Sequence, residues 1–185
     1  MKQESYLLDT NSFISAWQLY YRQSFAPAFW RHLASLIQKG TVVIIDPVYQ
    51  EVIAGNDELT TYLNNYESLV KKPDERVLSA YSEVMQTVQN NIGTYYDEAA
   101  LKTWAASTVA DPWLIATAQA DSAVIVTQEE RAINNIKSAG RKNRAVNLMK
   151  KAKIPDIADM MNVTCCNLYD FVELNGFRWE KNGNS

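Results

Sequence analysis

The 185-residue chain predicts an α/β fold, a doubly wound three-layer sandwich built on a mostly parallel sheet of four to five strands. Three observations carry this expectation. Short apolar, β-branched runs, clearest at Thr41 to Ile45, are apolar on both faces, as strands covered by helices on either side must be. Between them lie stretches whose apolar residues recur at three and four, the helical period. No repeat, low-complexity tract or linker interrupts the alternation, so residues 1–185 read as a single domain.

Ser5 to Leu8 is the first expected strand, ending at Asp9. Thr10, Asn11 and Ser12 then offer a helix cap, followed by Phe13, Ile14 and Trp17 at helical spacing. A second helix is expected from Pro27 to Lys39, with Phe29, Leu33, Leu36 and Ile37 as its apolar face and Gly40 as its stop. After the strand Thr41 to Ile45, Asp46 reads as an N-cap and Pro47 as the first residue of a helix that carries Glu51 and stops at Gly55.

Asp57 to Ala110 is expected to be largely helical, with Pro73-Asp74-Glu75 opening one of its helices. This segment reads as a layer covering the sheet, with a substrate clamp or a dimer surface as alternatives. Asp111-Pro112 opens an Ala-rich helix, and Ala123 to Val126 is the third strand. Ala152 to Ile154 and Val163 to Cys166 are the brief fourth and fifth strands, and Leu168 to Leu174 is a last helix before Gly176.

Composition narrows the chemistry. His32, the single histidine, sits within the expected second helix as a surface or core-edge residue, which leaves little room for a Ser-His-Asp or Cys-His mechanism. Cys165 and Cys166 are adjacent, a spacing too strained for a ready disulfide, and read as free thiols in a short buried strand and a reducing compartment. Met1 to Asp9 has neither the charge pattern nor the apolar stretch of a signal peptide, and the longest apolar run, Val42 to Ile45, is far too short to span a bilayer. A soluble cytoplasmic protein with no membrane partner is expected.

The acids are placed to act together. Asp9 closes the first strand, Glu51 lies on the helix leaving the second, and Glu129 follows the third by a short turn. Asp111 opens the helix that feeds the third strand, so it lies beside that strand's end. In a parallel sheet these points fall at one edge, where ligands of such folds bind. Each acid alone has a plain structural explanation as a cap or a solvated residue. Together, like charges repel and raise one another's pKa, and a hard divalent ion relieves this through oxygen ligands. Asp156, also near an expected strand end, is a weaker outer candidate.

These segments resemble a known family. Leu7-Leu8-Asp9-Thr10-Asn11 is similar to the first motif of PIN-domain nucleases, Pro47-Val48-Tyr49-Gln50-Glu51-Val52 to the segment holding their helix-borne acid, Ala110-Asp111-Pro112-Trp113-Leu114-Ile115-Ala116 to the segment of their third, and Val126-Thr127-Gln128-Glu129 to the turn of their fourth. The fourth acid of that family is usually Asp, so Glu129 is a departure. The resemblance implies a PIN-like fold and an endoribonuclease dependent on Mg²⁺ or Mn²⁺. Asp9, Glu51 and Asp111 would bind the metal, Glu129 would contribute directly or through water, Asn11 would support the first acid or the scissile phosphate, and Thr127 would position the turn. Many small bacterial members are toxins held by an antitoxin, often as homodimers.

Charge is unevenly laid down beneath a net value of only −3. Eight basic residues, Arg131, Lys137, Arg141, Lys142, Arg144, Lys150, Lys151 and Lys153, occur without an intervening acid, whereas Asp46 to Glu130 is acidic. The basic run could grip an RNA backbone in a salt-sensitive way, dock an acidic antitoxin segment, or be a solvated loop. Arg131, Arg141, Lys142 and Arg144, with Thr127, are the substrate-binding candidates. Two other classes compete: a non-catalytic RNA- or protein-binding module of the same fold, and a phosphotransfer protein with Asp9 as nucleophile. The phosphatases of that last kind carry a second acid two residues on, where this chain has Asn11.

Overall fold

Continuous apolarity in the short strands translates into a parallel sheet buried on both faces. The computed structural model describes residues 4–134 and 148–178. Its sheet contains β1 (Tyr6–Leu8), β2 (Val124–Val126) and β3 (Cys165–Cys166), parallel and neighbours in that order. Tyr6 lies opposite Val124, Leu8 opposite Val126 and Val126 opposite Cys166. Every residue of β1 and β2 is buried, which requires helices over both faces.

Thr41 to Ile45, the clearest strand by sequence, flanks the other side of β1 without becoming a regular strand. Tyr6 N donates to Thr41 O at 2.8 Å and Val43 N donates to Tyr6 O at 2.9 Å, making one parallel bridge at Val42. The chain then leaves the sheet, because Ile45 already caps the next helix. Lys71 adds a single-residue bridge outside Ile45, its amide donating to Ile44 O at 2.8 Å. The expected strand at Ala152 to Ile154 does not form. Ile154 opens a helix with Pro155 in its first turn, where the fixed φ of proline suits a helix start.

The helices follow their sequence signals closely. α1 (Thr10–Ser15) is capped by Asp9, rather than by Thr10, Asn11 or Ser12, and continues as a π-helical turn over Ala16–Tyr20. α2 (Pro27–Gln38) ends where Gly40 adopts φ +71°, a left-handed conformation that glycine takes without penalty. α3 (Asp46–Ile53) contains Asp46 in its first turn, so this acid is not the cap; its carboxylate accepts from Gln50 Nε2 at 3.3 Å. α4 (Glu58–Asn64) opens on a reciprocal capping box between Asp57 and Thr60. α5 (Glu75–Asn90) is capped by Asp74 and α6 (Glu98–Trp104) by Asp97. α7 (Asp111–Asp121), α8 (Ile154–Met160) and α9 (Leu168–Leu174) follow.

The long segment between Asp57 and Ala110 is largely helical, as expected. α5 buries Val77, Ala80, Val84 and Val88, and its packing on α7 is the most extensive pairing of elements among the described residues. Asp121, at the end of α7, pairs with Lys71 and with Arg76 at 3.1 Å, tying α7 to the start of α5. Trp30, Trp104, Tyr96, Phe13 and Phe29 are among the largest fully buried side chains. Tyr21 stacks on Phe29 with ring centroids 4.2 Å apart, whereas Tyr20 is exposed.

His32 is a core-edge residue whose Nε2 lies 3.1 Å from Asn175 O. Cys165 and Cys166 are free and half-buried rather than buried; desolvation pushes their thiols up to about 12 and about 11, which suppresses the reactive thiolate. No described helix is long and apolar enough to cross a membrane.

Ile115 is fully buried in α7, the helix that packs on α3, α5, α8 and β2. Ile115→Ala is expected to cost about 2–5 kcal/mol through lost transfer energy and the residual cavity. Urea denaturation should show a lower midpoint with an unchanged slope.

Candidate active site

Four acids from four separate parts of the chain line one cleft of about 420 Å³: Asp9, Glu51, Asp111 and Glu129. Asp9 reaches it because β1 ends there and the chain turns into α1. It is only 2% exposed. Its carboxylate caps α1 through Ser12 N and accepts from the Thr127 hydroxyl at 2.6 Å. Burial raises the pKa of Asp9, against the pull of the hydrogen bonds from Ser12 and Thr127.

Glu51 sits on the second turn of α3 and knits three elements together. Its Oε1 accepts from Ala110 N at 2.8 Å, and its Oε2 accepts from the Thr10 hydroxyl. Ala110 is the cap residue of α7, so this bond fixes where Asp111, the first residue of that helix, stands. Pro112 follows it, favoured at a helix start because no amide donor is needed there.

Asp111 is half-buried and, among the described residues, no hydrogen bond reaches its carboxylate. Burial, and then the charges of Glu129, Glu51 and Asp9, push its pKa up to about 7; Lys153 pulls the other way. The electrostatic coupling expected of the four acids is thus concentrated on this one group.

Glu129 is held differently. The Thr127 hydroxyl accepts from Glu129 N at 3.1 Å, which bends the turn. Oε1 of Glu129 pairs with Lys153 Nζ at 2.6 Å, and Oε2 accepts from Ile154 N at 2.9 Å. Lys153 lines the same cleft. In the sequence Lys153 is one of eight basic residues with nothing local to single it out, and Thr10 carries only the signal of a helix cap. Lys151 lines the same cleft, and it is the ion pair with Glu129 that distinguishes Lys153 from it.

Thr127, read as a substrate contact, is 4% exposed and lies beneath the acids, where it bonds to both Asp9 and Glu129. Asn11 is exposed at the mouth of the cleft. Arg131 is engaged by Asp159 through Nε at 2.6 Å and Nη2 at 2.9 Å. Arg141, Lys142, Arg144 and Lys137 lie outside the described residues. Asp156 does not line the cleft: it is 5% exposed, and its carboxylate accepts from Ala132 N at 3.0 Å and Ile133 N at 3.3 Å. Its part is to anchor that backbone.

Among the described residues, no group of three or more His, Cys, Asp or Glu side chains is already arranged as a ligand set for a metal ion. Three of the four carboxylates are instead turned towards hydrogen-bonding partners. As a donor set the cleft still suits a hard divalent cation: all its acidic groups offer oxygen, and Asp111 lacks a neutralising partner of its own.

Comparison with protein families gives a match over residues 6–179 to the one described as "Domain of unknown function (DUF4411)". No curated protein matches the chain. Among solved structures, the chain is similar to one in the crystal structure of VapBC2 from Rickettsia felis bound to a DNA fragment from its promoter. That likeness has a TM-score of 0.48 and 16% identity, and covers 88% of this chain and 97% of the other.

The raised pKa of Asp111 has a consequence for stability. Between the ordinary carboxylate range and about 7 the folded chain keeps a proton there that the unfolded chain releases, so this group's contribution to stability falls as pH rises through that window. Metal-free protein is therefore expected to melt lower at pH 8 than at pH 5.5 on this account. Asp111→Asn should flatten that difference and raise the pH 8 midpoint by several degrees, since about 1 kcal/mol moves the midpoint of a domain this size by about 2–4 °C. Calorimetry in EDTA at the two pH values measures both.

Proposed function

The chain belongs to the DUF4411 family, a membership that names no chemistry, and from its residues we propose that it is a metal-dependent endoribonuclease hydrolysing RNA phosphodiester bonds. The observation supporting this reading is the convergence of Asp9, Glu51, Asp111 and Glu129 on one cleft at the carboxyl edge of a parallel sheet. Asp9, Glu51 and Asp111 would hold Mg²⁺ or Mn²⁺, with Glu129 at the border of the set. When bound, such an ion supplies positive charge that lowers the pKa of a water and steadies charge developing on a phosphate.

The chain's own groups do the positioning. Ser12 N and the Thr127 hydroxyl orient Asp9, while the Thr10 hydroxyl and Ala110 N orient Glu51. Asn11, at the mouth, can donate a hydrogen bond to a phosphate oxygen. Trp104 and Val109 give the cleft one apolar wall, which limits water around the acids. The resemblance to PIN-domain nucleases extends the reading to the toxin of a toxin–antitoxin pair, with an antitoxin as protein partner and a homodimer as assembly. The basic run would then meet either the RNA backbone or an acidic antitoxin segment.

A second reading, a non-catalytic RNA- or protein-binding module, is favoured by one observation: the carboxylates of Asp9, Glu51 and Glu129 are already satisfied by hydrogen bonds or an ion pair. Metal titration separates the two. The nuclease should degrade total RNA with Mg²⁺ and not in EDTA, and Asp9→Asn should reduce cleavage to the EDTA level while leaving the fold intact by circular dichroism, because Asn caps a helix about as well as Asp. Cleavage by Asp9→Asn at the wild-type rate would remove the assignment. Salt-dependent RNA binding with no metal-dependent products would establish the binding module.

A further inference from the structure

Lys153 puts an ammonium group beside four acids in a cleft that Lys151 also borders, and of these two lysines it is Lys153 that pairs with a site acid. Its Nζ lies 2.6 Å from Glu129 Oε1, and the other oxygen of Glu129 accepts from Ile154 N at 2.9 Å. Both carboxylate oxygens of Glu129 are therefore committed to one two-residue segment. That segment is firmly seated: Ala152 is 3% exposed and Ile154 1%, and Ile154 opens α8. The Lys153 side chain lines the cleft and is 36% exposed, so it is within reach of solvent and of a ligand entering there.

The pair is part-buried, with the Glu129 side chain 17% exposed, and its place beside the other acids makes what it presents to the cleft the informative feature. An ammonium has three N–H donors, and Glu129 takes one. A phosphodiester approaching this cleft meets like charge. A divalent ion on Asp9, Glu51 and Asp111 would leave one negative charge in excess, and Glu129 would add another. Lys153 cancels the second and leaves donors for an anionic oxygen.

We infer that Lys153 binds a phosphate oxygen of the RNA at the scissile bond, and that Glu129 is a positioning residue for Lys153 rather than a ligand of the divalent ion. This rests on the nuclease reading for the identity of the substrate. It accounts for the departure at position 129: the longer arm of Glu spans to Lys153 and Ile154.

Two measurements on the full chain test it. In EDTA, anisotropy of a labelled single-stranded RNA is followed across a salt series. Lys153→Met should weaken binding and make the slope of log K against log salt shallower by about 0.7, the loss of one phosphate contact on a single strand, while Lys153→Arg keeps the wild-type slope. Glu129→Gln should weaken RNA binding, and the double variant should be no weaker than Lys153→Met, as for residues acting as a unit. Separately, calorimetric titration with Mn²⁺ should give Glu129→Gln an affinity within about twofold of wild type, with Asp111→Asn losing at least about tenfold. An unchanged salt slope in correctly folded Lys153→Met, or a loss of Mn²⁺ in Glu129→Gln matching that in Asp111→Asn, would overturn the inference. If the wild type takes up no Mn²⁺ while the salt slopes still separate, the nuclease reading falls and the phosphate contact stands.

Discussion

Electrostatic repulsion among carboxylates gathered at one sheet edge is the constraint around which the local structure is arranged. Asp9, Glu51 and Glu129 are each given donors: a backbone amide and a hydroxyl for Asp9 and for Glu51, a backbone amide and an ammonium for Glu129. Asp111 receives none among the described residues and carries the largest burden, its pKa pushed to about 7. Those donors come from β2's exit, from the first turn of α1, from the cap of α7 and from the start of α8. The elements that build the fold are thus the same ones that keep the acids oriented.

The parallel register makes this possible. Because β1 and β2 run side by side with Leu8 opposite Val126, the residues that follow them, Asp9 and Thr127, meet at once. An antiparallel pairing of the same strands would send the two exits to opposite ends of the sheet. The helices add the remaining acids by starting or passing at that edge: α7 begins with Asp111, and α3 carries Glu51 to within reach of the α7 cap.

Much of this was legible from local chemistry. Pro27, Gly40, Asp74 and Gly176 mark helix boundaries where proline geometry, left-handed glycine or a carboxylate cap dictates them, and the boundaries fall there. What the residues could not reveal depended on long-range contacts. Thr41 to Ile45 has ideal strand composition, yet Ile45 becomes a helix cap and the pairing shrinks to a bridge. Ala152 to Ile154 was too short for periodicity to decide, and Pro155 turned it to helix. Asp156 has the same local look as the site acids, but its partners, Ala132 N and Ile133 N, lie more than twenty positions earlier. The role of Lys153 rests on Glu129, 24 positions earlier, beyond any spacing rule.

The margins of the sheet bear on how copies of this chain could meet. On one side the outermost pairing is the lone residue Lys71, whose side chain is drawn to Asp121; on the other, β3 is two residues long. Neither flank offers the extended, unoccupied ladder of amides and carbonyls through which chains zip together edge to edge, and a lysine at such a flank further discourages it. Self-association through these described flanks is therefore disfavoured, and accretion into cross-β deposits would first require the native sheet to open.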